Sequence, residues 1–207
     1  MRYVPGAKGV DIGGDWYSVI AVDTTRFAFV VGDVSGRGLS AATIMAGLRY
    51  TIRAYALEGY SPTEILEKCA NQLHVVVDGH FATVLVGLGD TATCEVTLAN
   101  AGHFNPLVVD GTEADFVATQ LGVPLGVQGG VYPSVVVPMA PGSTMIAFTD
   151  GLVERRTESL DVGLKRLAEA ALSAQGSLDD LLTTLIRDLT SDASEDDIAI
   201  LALRWRS

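Results

Sequence analysis

Cysteine is nearly absent: the 207 residues hold two, Cys69 and Cys94. Two thiols so far apart form neither a disulfide framework nor a C-x-x-C zinc pattern. A reducing cytoplasm is the compartment that fits. Cys69 falls at helical spacing from Ile65, Leu66 and Leu73 and reads as a small buried hydrophobe. Basic residues are also scarce, with Lys+Arg 14 against Asp+Glu 25 and a formal net charge of -11. Such a surface repels nucleic acid and anionic lipid, which excludes phosphate-backbone binding as the main function. No apolar run is long enough to span a membrane. The opening Met1-Arg2-Tyr3-Val4-Pro5-Gly6 has no signal-peptide apolar region. There is no Cys-x5-Arg loop and no Ser/His/Asp set for nucleophilic catalysis. Gly36-Arg37-Gly38 lacks the Lys-Ser/Thr ending of a phosphate-cradling P-loop.

What is present is apolar and ordered. Hydrophobic residues make up 48% and charged residues 19%, outside the range of disordered chains. The length suits one domain, 1–207, with a core that needs no disulfide or structural metal. Two β-branched runs, 17–22 and 26–31, flank Asp23-Thr24-Thr25 and predict a hairpin. A helical pattern covers about 40–57 and is stopped by Gly59. Ser61-Pro62-Thr63-Glu64 forms a capping box that starts a second helix, expected to run to about 75. Strands are predicted at 81–88, 93–100, 105–109, 131–137 and 144–149. Helices follow at about 162–174 and at 178–189, the latter capped by Ser177 with Asp179 and Asp180 in its first turn. The run 198–203 predicts a strand buried on both faces. Hairpin-length gaps favour antiparallel pairing. Two sheets face to face, with helix pairs outside, would bury these strands on both sides.

Four acidic residues share one context: Asp15, Asp33, Asp150 and Asp196 each stand at the end of an apolar strand. Short carboxylates on rigid strand ends are the hard oxygen ligands that magnesium and manganese prefer. Taken singly, each is equally well a turn residue bonding its own backbone. Asp23, Asp90 and Asp110 have the same local chemistry and are read as turns.

The order of the motifs goes further. Gly13-Gly14-Asp15-Trp16-Tyr17 is followed by Gly32-Asp33-Val34-Ser35-Gly36-Arg37-Gly38-Leu39-Ser40-Ala41-Ala42, then by Phe81-Ala82-Thr83 and Asn100-Ala101-Gly102-His103. Pro124-Leu125-Gly126, Thr149-Asp150-Gly151-Leu152-Val153-Glu154 and Asp196-Asp197-Ile198-Ala199-Ile200-Leu201 complete the series. Together they resemble the SpoIIE-like branch of the metal-dependent (PPM, type 2C) protein serine/threonine phosphatases. The resemblance covers nearly the whole chain.

The resemblance implies an α+β fold, a four-layer αββα sandwich with two mainly antiparallel sheets. It also implies a centre of two ions, Mn2+ or Mg2+. By matching positions, Asp33 is the bridging carboxylate, with Asp15 and the main-chain carbonyl of Val34 on one side. Asp150 and Asp196 are the ligands of the other ion, and Asp197 is a supporting or surface group. Two such cations, roughly 3.5–4 Å apart, would neutralise a phosphomonoester and turn water into the attacking hydroxide. The implied substrate is phosphoserine or phosphothreonine on an anti-anti-sigma (STAS-type) protein in a bacterial partner-switching pathway. An upstream sensor domain is a further implied partner. The chain opens shortly before the first motif and closes on the last, as an isolated catalytic domain would.

Three positions depart from the wider family. Ser35 stands where the larger eukaryotic branch has a His, Ser18 where the first motif commonly has an Asp, and the stretch 154–164 is short. His74 and His80 are expected at the surface or as caps, and His103 either as a residue that holds a strand turn or as a catalytic group. Arg37 is either a phosphate contact or a solvated loop residue. Two other functions stay open: a small-molecule phosphohydrolase, and a non-catalytic binding module of the same fold. Loss of a carboxylate would mark the latter, and all four are present.

Overall fold

The computed structural model describes residues 1–5, 13–73, 79–174, 176–190 and 196–206. The chain begins with β1 (Arg2–Val4), β2 (Trp16–Ala21) and β3 (Arg26–Val34). Helices α1 (Leu39–Leu57) and α2 (Pro62–Ala70) come next. The middle contains β4 (Ala82–Asp90), β5 (Glu95–Ala101), β6 (Leu107–Asp110), β7 (Glu113–Phe116), β8 (Leu121–Gly122), β9 (Val135–Pro138) and β10 (Thr144–Phe148). A single 3-10 turn (Asp150–Leu152) leads to α3 (Leu160–Ser173), α4 (Leu178–Leu189) and β11 (Ile198–Arg204).

The strands form two sheets. One runs β1-β11-β10-β6-β7; the other runs β2-β3-β4-β5-β8, with β9 also paired to β5. Among the described residues all pairings are antiparallel except β5 with β8. Side-chain alternation along β3 explains the layering. Ala28, Val30 and Val34 pack with Ile52, Ile65 and Leu66 under α1 and α2. Phe29 and Val31 point the other way, onto Met145, Ala147 and Leu201 of the second sheet. On that sheet's far face Ile146, Phe148 and Ile200 meet Leu167, Leu182 and Leu185 of α3 and α4. Three apolar layers between four structural layers give the expected αββα sandwich. Among the described residues no helix is long and apolar enough to cross a membrane.

Local chemistry places most boundaries. In the β2–β3 turn, Asp23 Oδ1 accepts the N–H groups of Thr25 at 3.0 Å and Arg26 at 2.8 Å. The Ser61–Glu64 capping box forms, with Ser61 N–H donating to Glu64 Oε2 at 2.8 Å. The same device opens α4, where Ser177 N–H donates to Asp180 Oδ2 at 2.9 Å.

Three differences have physical causes. Helix α2 ends at Ala70 rather than near 75, with Asn71 as its C-cap; His74 and Val75 lie outside the described residues. The strand expected over 131–137 starts only at Val135. Pro133 offers no N–H to a ladder, and the Tyr132 ring is fully buried against Gly122, where a Cβ would come within 2.5 Å of it. β1, β7 and β8 are short strands that alternation does not reveal. β7 forms because Gly111-Thr112 closes a tight hairpin between Asp110 and Glu113.

Candidate metal centre

The sheet register builds the site. Trp16 pairs with Gly32, so one step further along this antiparallel pair Asp15 stands opposite Asp33. Both continue the alternation that sends Tyr17, Phe29 and Val31 into the space between the sheets. β10 belongs to the other sheet, and its C-terminal end delivers Thr149 and Asp150 to the same rim. Asp15, Asp33 and Asp150 each bring one carboxylate oxygen to within 4.8 Å of the others. Asp15 is 7% exposed, and its Oδ2 is a buried oxygen with no hydrogen-bond partner among the described residues.

Electrostatics agree with the geometry. Burial is the main cause that raises the Asp15 carboxyl far above the ordinary range, followed by the charge of Asp33. The nearby Thr149 hydroxyl opposes the shift without cancelling it. Asp33 is also pushed up, first by burial and then by Asp196 and Asp197, while its hydrogen bond with Asp15 lowers it. Both carboxyls of the pair are thus held above the ordinary range, so the two resist ionising together. Burial, then Asp33 and Asp196, push Asp150 up to about 7. Three converging carboxylates that resist ionising together, one with an orphaned buried oxygen, fit a hard divalent cation.

The Val34 carbonyl lies against Gly14, the residue before Asp15. A Cβ on Gly14 would come within 2.2 Å of Val34 O, and Gly14 O accepts the Val34 N–H at 3.3 Å. Only glycine lets these two backbones approach so closely. Gly14→Ala should therefore push Asp15 and Val34 apart, lowering the melting temperature and weakening any manganese response. Gly47→Ala is the control: a Cβ there meets nothing within 4 Å. It should stabilise helix α1 by about 0.5–1 kcal/mol. Equal behaviour of the two variants in thermal melts with and without manganese would show that Gly14 has no special place.

The remaining residues singled out in the sequence are spread around this rim. Asp196 lies outside the trio, exposed, with an ion pair to Arg37 at 3.5 Å. Arg37 thus faces a carboxylate. Asp197 hydrogen-bonds the Tyr3 hydroxyl, and burial and Asp197 together raise the Tyr3 phenol. Sequence reading missed Tyr3 because β1 becomes visible only through its pairing with β11. Ser18 faces α1, where its Oγ accepts from Arg49 Nε at 3.0 Å, on the opposite face of β2 from Asp15. Ser35 Oγ accepts the Phe81 N–H at 3.0 Å. His80 is half-buried and bridges the Ser35 carbonyl to Ser40 Oγ, the latter at 3.0 Å, tying the Asp33 loop to the first turn of α1.

His103 connects the two sheets. Its Nε2 meets Phe148 O of β10 at 3.0 Å and its Nδ1 meets Thr83 Oγ1 of β4 at 2.9 Å. Burial lowers its pKa to about 4, against a smaller opposing effect from the Phe148 carbonyl. The neutral ring thus donates through Nε2 and accepts through Nδ1. Asn100 holds the turn, accepting the His103 N–H at 2.8 Å and donating to its carbonyl at 3.0 Å.

An αββα sandwich with clustered carboxylates at one end of its sheet–sheet interface defines the PP2C-type class of fold. Within it, residues 23–206 match the model described as Stage II sporulation protein E (SpoIIE), and the chain belongs to that family. The match begins after Asp15, so the place of that residue rests on geometry. The phosphoserine phosphatase RsbU of Bacillus subtilis is 27% identical over 97% of this chain and 65% of its own length. The phosphoserine phosphatase RsbP of the same organism is 23% identical over 70% of this chain and 37% of its own. The chain therefore spans only about a third to two thirds of these curated relatives. Among solved structures, the RsbU and RsbW domains of a Mycobacterium tuberculosis protein align with TM-score 0.87 and 31% identity, covering 99% of this chain and 58% of that one. The phosphatase domain of SpoIIE from Bacillus subtilis aligns with TM-score 0.81 at 17% identity, over 98% of this chain and 61% of that one, and supports the fold.

Proposed function

We propose that this chain is a divalent-metal-dependent protein phosphatase domain that hydrolyses phosphoserine or phosphothreonine. The observation that carries the reading is the trio Asp15, Asp33 and Asp150, gathered within 4.8 Å from two different sheets. The relatives RsbU and RsbP, named phosphoserine phosphatases, support it. RsbX, a fold neighbour at 17% identity, was solved in complex with magnesium.

In this reading Asp15, Asp33 and Asp150 would hold the ions, with the Val34 carbonyl as a further oxygen ligand. Asp196 would add a further carboxylate if its ion pair with Arg37 opened; an exposed pair of this kind is worth about 1 kcal/mol or less. When bound, Mn2+ or Mg2+ ions supply charge neutralisation for the phosphate and acidify water toward neutral pH. The chain's own residues position: the β2–β3 register sets Asp15 against Asp33, and the neutral His103 fixes the two sheets at the rim.

The substrate we propose is a phosphorylated anti-anti-sigma protein of the STAS type, in a partner-switching system, with an upstream sensor as the source of control. The two free cysteines, Cys69 and Cys94, suit a cytoplasmic setting. The test is phosphate release from a phosphoserine-bearing STAS protein, with manganese and with chelator, beside a panel of nucleotides. Release that needs the metal and spares the nucleotides is expected. Faster nucleotide hydrolysis would establish a small-molecule phosphohydrolase instead.

A further inference from the structure

Asp33 and Asp150 form one end of a cavity of about 610 Å³. That is the size of pockets that hold drug-sized groups, far more room than a phosphate requires. Beyond the carboxylates its walls are mostly apolar, with Ser35, Thr83, His103 and Asn105 as the neutral polar members. Phe81, Phe104, Phe116, Leu121, Leu160 and Leu164 line it, contributed by elements of both sheets and by α3. The inner wall is rigid: Phe104 is stacked on the buried Phe148 with ring centroids 5.6 Å apart. The mouth is apolar too. Phe81, Leu121 and Leu160 are 40%, 58% and 38% exposed, so large hydrophobic side chains stand in water around this opening. Glu154 is the one further acidic group in the lining.

We propose that this cavity seats an apolar side chain next in sequence to the phosphorylated residue of a protein substrate, and so determines which phosphoserines are accepted. The inference rests on the phosphatase reading above. A phosphoserine has no apolar group beyond its own Cβ. With its phosphate at the carboxylates, the neighbouring residue is what reaches the aromatic wall. Hydroxyls of a sugar phosphate set against these rings would lose water without gaining a partner. Glu154, whose charge acts on Asp150, repels an acidic neighbour. A Leu, Ile or Phe flanking the phosphoserine gives up water on both sides when it enters.

The experiment compares phosphoserine peptides with Leu, Phe, Ser or Asp at each flanking position, all with manganese. N-acetylphosphoserine amide, which has no flanking side chain, is the reference substrate. An apolar flank at one position should raise kcat/KM about 10-fold or more over Ser, the scale set by apolar groups in a complementary pocket, with Asp the poorest. The double variant Leu121→Ser/Leu160→Ser removes two exposed rim side chains, which such a fold tolerates. It should shrink that preference to about threefold or less, mainly through KM, while turnover of N-acetylphosphoserine amide stays unchanged. A flat profile across flanks, or an equal loss on both substrates in the double variant, overturns this proposal alone. No metal-dependent turnover of any phosphoserine compound overturns the phosphatase reading and this proposal with it.

Discussion

Asp33→Ala is expected to reduce metal-dependent phosphate release by about 100- to 1000-fold, the scale seen when one group that stabilises transition-state charge is lost. The reason is its position. Asp33 lies between the two other carboxylates in electrostatic terms: it is the leading charge acting on both Asp15 and Asp150. The fold should survive, because β3 keeps its backbone pairing with β4, Asp33 opposite Thr83, whatever the side chain. The isosteric Asp33→Asn makes a sharper test. It removes one buried like charge, so the metal-free protein should melt higher than the unsubstituted one while its response to manganese disappears. Circular dichroism melts and phosphate release measured on the same samples check both halves. An Asp33→Ala protein with full activity in manganese would falsify the assignment of the centre.

The second large effect is a stability that depends on pH and metal together. Asp15, Asp33 and Asp150 all have carboxyls raised in the folded state, with burial the leading cause and Asp150 at about 7. The folded state therefore binds more protons than the unfolded chain once the pH exceeds the ordinary carboxylate value of about 4. Stability falls as pH rises through that window and on past the folded pKa of Asp150. The metal-free protein should lose about 10 °C of melting temperature between pH 5 and pH 8. Millimolar manganese should restore most of this at pH 8 and little at pH 5, where protons compete for the same oxygens. Differential scanning calorimetry across this range, with manganese and with chelator, decides the matter. A melting temperature flat in pH and blind to manganese would mean the carboxylates are not held against one another.

Much of the fold was legible because its causes are local. The Ser61–Glu64 box, the Asp23 turn and the stop at Gly59 each depend on residues a few positions apart, and each forms as read. Alternation along β3 distinguishes the face under the helices from the face between the sheets. What escaped depends on distant partners. β1 exists because β11 offers an edge, and Tyr132 leaves its predicted strand because Gly122, ten positions back, leaves room for its ring.

The candidate site divides in the same way. The sequence by itself determined the element order, the capped helices, the apolar strand faces and the presence of acidic residues at strand ends. It could not separate those acids by their surroundings. Asp23 and Asp150 look alike in the chain, each a short carboxylate beside a strand. In the folded protein Asp23 is exposed, and backbone N–H groups lower it to about 2, whereas burial beside Asp33 raises Asp150 to about 7. The tertiary structure decided which carboxylates meet, because the β2–β3 register sets Asp15 against Asp33 while the packing of one sheet on the other brings in Asp150. It also left Asp196 beside Arg37 and gave His103 its two partners on opposite sheets. The physical reason is range. Capping and alternation act over a few residues, but the charge on a carboxylate depends on everything within several ångströms, and that neighbourhood exists only after both sheets have closed.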